Sequence, residues 1–241
     1  MTASGRMLWV TGAGSGMGRA AAVAAARSGR RVALSGRRED ALAETRRLVE
    51  EAGGEGLVLP LDTADAAAVA AAHDQIGSTW GGVDDLVLSA GLNDPRRSWA
   101  DQSVDTFEAV VATNLTGVVR MVDTALPDLR RSGGQVVVVS SFSGWRFSPG
   151  AGVAYSASKT ALTAVCQTLN AQEAGQGVRA CHLCPGDVDT DFLRLRPAVP
   201  DAEARTKMLT PDDVARAVLF VLESPAHVRI DELVISPVSQ T

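Results

Sequence analysis

The sequence predicts an α/β fold, doubly wound, with a seven-stranded parallel sheet covered by helices on both faces. Three observations lead there. Short runs rich in Val and Leu alternate with longer helical runs along the whole chain. Such alternation implies right-handed crossovers that return over one parallel sheet. The short runs are nearly continuous in apolar character, as strands buried on both faces must be. A glycine-rich turn, Val10-Thr-Gly-Ala-Gly-Ser-Gly-Met-Gly18, joins the first strand-like run to the first helical one, where a Rossmann fold keeps its dinucleotide turn.

Taken in order, the strands are expected over Arg6–Thr11, Arg31–Ser35, Gly56–Leu61, Asp85–Ser89, Gln135–Ser140, Val178–Cys184 and Glu232–Ser236. Between them, helices are expected over Gly16–Ser28, Arg38–Ala52, Ala64–Thr79, Ser103–Arg131, Ala154–Gly175 and Pro211–Glu223. No repeat, linker or low-complexity tract interrupts the alternation, so residues 1–241 are read as a single domain. The least regular stretch, Arg194–Met208, carries Pro197 and Pro200. It places a possible substrate lid at 191–209.

Composition narrows the function. With 46% apolar residues, 21% charged residues and a net charge of −5, the chain reads as a soluble globular protein. It has no basic footprint for nucleic acid or an anionic membrane. No apolar run approaches the length of a bilayer, and the apolar start runs into glycines where a signal peptide would continue. A cytoplasmic location is expected. The three cysteines are too few for a disulfide framework. Cys181-His-Leu-Cys184 has a C-x-x-C spacing, but on a strand the two sulfurs point to opposite faces and read as core. The three histidines are scattered, so no metal site is expected.

Chemistry first shows at Tyr155-Ser-Ala-Ser-Lys159, which holds the chain's single tyrosine. Four residues apart, phenol and ammonium share one helix face, and the cation favours the phenolate. The glycine turn adds backbone N–H groups at a helix N-terminus, suited to a pyrophosphate. Together, Thr11-Gly12-x-x-x-Gly16-x-Gly18 and Tyr155-x-x-x-Lys159 resemble the short-chain dehydrogenase/reductase family, in its compact single-domain branch.

The resemblance extends to further motifs. Asp62, with Thr63, matches the family aspartate at the adenine ring. Asn114 in Thr113-Asn-Leu115 matches a catalytic-site asparagine, and Ser140-Ser-Phe-Ser-Gly144 makes Ser141 the substrate-binding serine. Pro185-Gly-Asp-Val-Asp-Thr190 looks like the family's P-G-x-V-x-T. The resemblance thus implies catalytic Asn114, Ser141, Tyr155 and Lys159. It implies cofactor contacts from Gly12, Ser15, Gly16, Met17, Gly18, Asp62, Thr63, Ser89, Ala90, Gly91, Asn114, Tyr155, Lys159, Pro185, Gly186, Val188 and Thr190. Two departures stand out. Ser89 replaces the second asparagine of the family's N-N-A-G, and the Ser141–Tyr155 interval is one residue longer than usual, lengthening the loop Trp145–Ala151.

The end of the second strand, Leu34-Ser-Gly-Arg-Arg38, bears on the cofactor. An acidic residue there would hold the ribose 2′-hydroxyl of NAD, whereas arginine accommodates a 2′-phosphate. Gly36, Arg37 and Arg38 therefore favour NADP(H) over NAD. By resemblance, the reaction is hydride transfer between nicotinamide and a carbonyl or alcohol carbon. Tyr155 would be the acid and base, with Lys159 lowering its pKa, Ser141 orienting the oxygen and Asn114 holding a water. A non-catalytic NADP-binding scaffold or redox sensor is the alternative. An extended-branch epimerase would need a larger C-terminal domain. The partner implied is a small carbonyl or alcohol compound, with assembly as a homotetramer or homodimer through Ser103–Arg131 and Ala154–Gly175. Two substrate readings stay open: an acidic compound paired with Arg146, Arg194 or Arg196, or an apolar ketone lined by Phe142, Trp145, Phe147, Phe192 and Leu193.

Overall fold

The computed structural model describes residues 5–240. Seven strands, β1 Met7–Thr11, β2 Arg31–Gly36, β3 Gly56–Pro60, β4 Asp85–Leu88, β5 Gln135–Val139, β6 Arg179–Pro185 and β7 Glu232–Ile235, form one sheet in the order 3-2-1-4-5-6-7. Every pairing is parallel. Each strand's alternate residues feed opposite faces. Met7, Trp9, Val136 and Val138 enter one core and Leu8, Val10, Val137 and Val139 the other.

The first helices are α1 Gly16–Arg27, α2 Glu39–Glu51 and α3 Ala66–Trp80. The expected helix over Ser103–Arg131 is instead α4 Val104–Val111 and α5 Gly117–Ser132, joined by a π-helical turn at Ala112–Thr116. Next come α6 Phe142–Trp145, α7 Val153–Glu173, α8 Ala202–Arg205 and α9 Pro211–Leu222. Alanines of α1, Leu42 and Val49 of α2, and Val214 and Val218 of α9 cover one face of the sheet. Residues of α3, α5 and α7, among them Ile76, Met121 and Leu162, cover the other.

Two expectations need correction. By length and composition, Val104–Ser132 is apolar enough to cross a membrane, although no such run was expected. Its buried Val118, Met121, Val122, Ala125 and Leu129 pack into the core beside the sheet. The histidines are not all apart from other donors. His182, Cys184 and Glu232 bring their ligand atoms within 4.8 Å of one another, and His182 Nδ1 lies 3.2 Å from Glu232 Oε2. The stretch read as the least regular holds only short elements. A 3-10 turn spans Asp191–Leu195, α8 follows, and Leu209 bridges to Val188. The cysteines are free and buried, and burial pushes each thiol up to about 12.

At the sheet's lower edge Asp85 gathers partners from several segments. Arg6 Nε and Nη2 donate to its two oxygens at 3.0 and 2.9 Å. Arg30 Nε lies 3.8 Å away, and the Gln135 N–H donates at 2.9 Å. At the upper edge the strand order reverses between β1 and β4, which opens the crevice where such sheets bind ligands.

Candidate active site

Three linked hollows run along that upper edge. The first, about 190 Å³, is lined by Gly12, Ser15, Gly36, Arg37, Arg38, Asp62 and Thr63. A second of about 180 Å³ shares Gly12, Ser15, Ala90 and Gly91 with it and adds Gly16, Met17, Ser89, Lys159 and Thr190. Tyr155, Met17 and Thr190 also border the third and largest, about 520 Å³, with Ser141, Phe142, Pro185, Gly186, Val188, Phe192 and Arg196.

The glycine turn is shaped by close approach. Gly12 has φ +66°, and a Cβ there would lie 2.7 Å from the Ser89 carbonyl oxygen. A Cβ on Gly18 would lie 2.4 Å from the Gly12 carbonyl oxygen. Thr11 Oγ1 accepts from the N–H groups of Ser89 and Ala90 at 3.1 and 3.2 Å, fastening β1 to β4. Ser89 joins this junction through its backbone, a bond its replacement of asparagine leaves untouched. Ser15 begins α1 without a side-chain cap, and no acidic residue occupies the first turn. Unclaimed N–H groups and the helix dipole there fit a pyrophosphate. Arg37 and Arg38 are exposed beside this groove. These residues suit a nicotinamide dinucleotide.

Of the side chains expected to be catalytic, Ser141, Tyr155 and Lys159 meet at the junction of the second and third hollows, and Asn114 is buried outside their linings. Ser141 caps α6 and accepts the Ser143 N–H at 3.2 Å, so its hydroxyl proton is free to donate outward. Burial raises the Tyr155 pKa, while a hydrogen bond with Ser141 and the charges of Arg196 and Arg97 pull the other way. Lys159 Nζ sits 5.7 Å from the Tyr155 ring centre and donates to the Val139 carbonyl at 3.0 Å. Burial lowers it to about 8. At Tyr155 burial thus outweighs the groups that favour the phenolate, and Lys159 is not among the charges acting on the phenol. Asn114, in the π turn, donates to the Leu92 carbonyl at 2.9 Å and to Ser158 Oγ at 3.2 Å, and accepts the Leu92 N–H at 2.7 Å. Its side-chain amide is thus tied to the protein.

Of the arginines expected near substrate, only Arg196 lines the large cavity. Arg146 stacks over Trp145 at 4.1 Å, and Arg194 pairs with Asp191 on the surface. Phe142, Phe192 and Leu193 face the cavity, whereas Trp145 and Phe147 are outside its lining and Phe147 is 84% exposed. Arg97 and Asn93 also line the cavity. They lie in an irregular polar segment after β4 with neither periodicity nor motif, so the sequence gives no signal for them.

Comparison with known proteins follows the same lines. A family model described as short chain dehydrogenase matches residues 6–198. Glycine betaine reductase ATRR of Emericella nidulans is 36% identical over 243 residues, covering 97% of this chain but 19% of that protein. The chain thus spans about a fifth of that relative's length. An alcohol dehydrogenase from Thermococcus sibiricus, complexed with 5-hydroxy-NADP, is 33% identical with a TM-score of 0.88 over 98% of both chains. The closed form of serine dehydrogenase complexed with NADP+ is 30% identical with a TM-score of 0.88, over 98% of this chain and 96% of that one.

Proposed function

The chain belongs to the short-chain dehydrogenase family, and we propose that it interconverts a carbonyl and an alcohol by hydride transfer with NADP(H). The observation that carries this reading is the meeting of Ser141, Tyr155 and Lys159 where a dinucleotide-shaped groove opens into a cavity of about 520 Å³. When bound along the groove, NADPH would supply the hydride that the carbonyl carbon takes up. Ser141 donates a hydrogen bond to the carbonyl oxygen, and Tyr155 delivers the proton that this oxygen takes up. In oxidation the phenolate takes the hydroxyl proton back. Lys159 lies beneath the ring as the cation that stabilises that phenolate. Through its side-chain amide, Asn114 holds Leu92 and Ser158 in place. Arg37 and Arg38 receive the 2′-phosphate.

The NADP preference is supported by the missing carboxylate at Gly36 and by the NADP named in two solved relatives. We read residues 1–241 as one cytoplasmic catalytic unit, assembled as a homotetramer. A light-scattering mass of one chain would remove the assembly from this reading.

Tyr155→Phe tests the chemistry. NADPH oxidation with a panel of aldehydes and ketones should fall by at least about 100-fold, the usual scale of a positioned acid. NADPH affinity should stay close to that of the unaltered protein, because phosphate and adenine contacts dominate it. More than a tenth of the original turnover would overturn the role of Tyr155.

A further inference from the structure

Among the described residues, one cation in the large cavity has no carboxylate paired with it. Arg97 lies between β4 and α4 and borders the cavity with Ser141, Tyr155 and Arg196. Its Nε is buried without a hydrogen-bond partner. The charged groups acting on it are Arg196 and the Tyr155 phenol, with no carboxylate among them. Arg196 differs, because Asp187 pairs with it at 2.5 Å and matches its charge.

Arg97 is also held in place. Gly152, at φ +86°, lets the loop approach so closely that a Cβ there would lie 2.6 Å from Arg97 Cβ and 2.9 Å from its carbonyl oxygen. Asn93 Nδ2 donates to the Ala151 carbonyl at 3.2 Å. The loop is thereby fastened to the turn that starts α7, three residues before Tyr155. A guanidinium stays charged at any working pH. Partly shielded from water, with its Nε buried and no carboxylate acting on it, it favours an anion entering the cavity.

We propose that Arg97 receives a carboxylate of the substrate, so that the compound reduced is a short oxo acid or an acid-bearing aldehyde. This rests on the hydride-transfer reading above. The planar fork of arginine binds a carboxylate through two parallel N–H bonds. Anchored there, the carbonyl end of a short molecule reaches Ser141 and Tyr155 across the same cavity.

The test compares matched compounds in the unaltered protein, Arg97→Met and Arg97→Lys. Turnover with NADPH is measured for an oxo acid and for its neutral amide. Calorimetry on the NADP+-loaded protein measures binding of propanoate and of propanamide. A charge-assisted contact should favour the acid by about 10- to 100-fold in kcat/KM and in affinity. Arg97→Met should collapse both ratios to near one, and Arg97→Lys should restore part of each. Equal ratios in the unaltered protein, or a loss in Arg97→Met that is the same for acid and amide, would overturn the proposal. If neither compound is reduced, the dehydrogenase reading fails, while the binding arm still decides the role of Arg97.

Discussion

Lys159 is buried, with the Val139 carbonyl as its hydrogen-bond partner. Desolvation holds its pKa at about 8 against the usual 10.5, so the folded protein disfavours the charged form. The sign follows from that. Below pH 8 the full penalty, on the order of 3 kcal/mol, opposes folding, and it fades as pH rises from 8 to 10.5. Lys159→Met should therefore abolish turnover yet raise the Tm of the cofactor-free protein at pH 7. Allowing about 1 kcal/mol for the lost bond to Val139, the rise should be roughly 4–8 °C. Thermal scans should show the gain shrinking toward pH 10. A lower Tm at pH 7 would mean that the lysine is stabilised by groups other than Val139. Tyr155 and Lys159 were legible in the sequence because their spacing places them on one helix face, whereas Ser141 came from the family resemblance alone. Arg97 was not legible, since its partner Gly152 is distant in sequence and its lack of a counter-ion exists only in the folded chain.

Between β2 and α2 the chain offers a second test. A Cβ on Gly36 would meet only Leu42 Cδ2, at the ordinary distance of 3.6 Å, so an aspartate fits there without strain. Gly36→Asp combined with Arg37→Ser removes a phosphate contact and adds a repelling carboxylate. The kcat/KM ratio of NADPH to NADH should fall by about 100-fold. An unchanged ratio would make Arg37 a surface charge. Most element positions could be read from apolar runs, with ends shifted by a residue or two, as at α7, expected over Ala154–Gly175 and found over Val153–Glu173. The π turn could not be read. Apolar residues continue through Val110, Leu115 and Val118, and a one-residue widening leaves no mark in such a pattern.

For the molecule as a whole, alternation and crossover handedness foretold a parallel sheet, but not the polar hub beneath it. Arg6, Arg30, Asp85 and Gln135 come from four separate segments, and none belongs to a motif. Asp85 is 1% exposed, and its loss would take from buried Arg30 the carboxylate that acts on it most strongly. Asp85→Ala should cost about 3–5 kcal/mol in urea unfolding. The hub lies at the edge opposite the catalytic groups, so the folded variant should keep its kcat. A loss below about 1 kcal/mol would show that hydration replaces the carboxylate cheaply.

The widened turn at Ala112–Thr116 also acts as a phase adjuster. Each residue of an α-helix advances the winding by about 100°, and the extra residue lets α4 and α5 aim their stripes independently. Deleting one residue there would leave a uniformly wound helix, well formed by its own hydrogen bonds. Its stripe Val118, Met121, Val122, Ala125 and Leu129 would then be rotated by that angle away from the core. Asn114 would swing with it and release Leu92. Insertions and deletions at this point are therefore far harsher than substitutions, because they alter the angular bookkeeping of a whole layer.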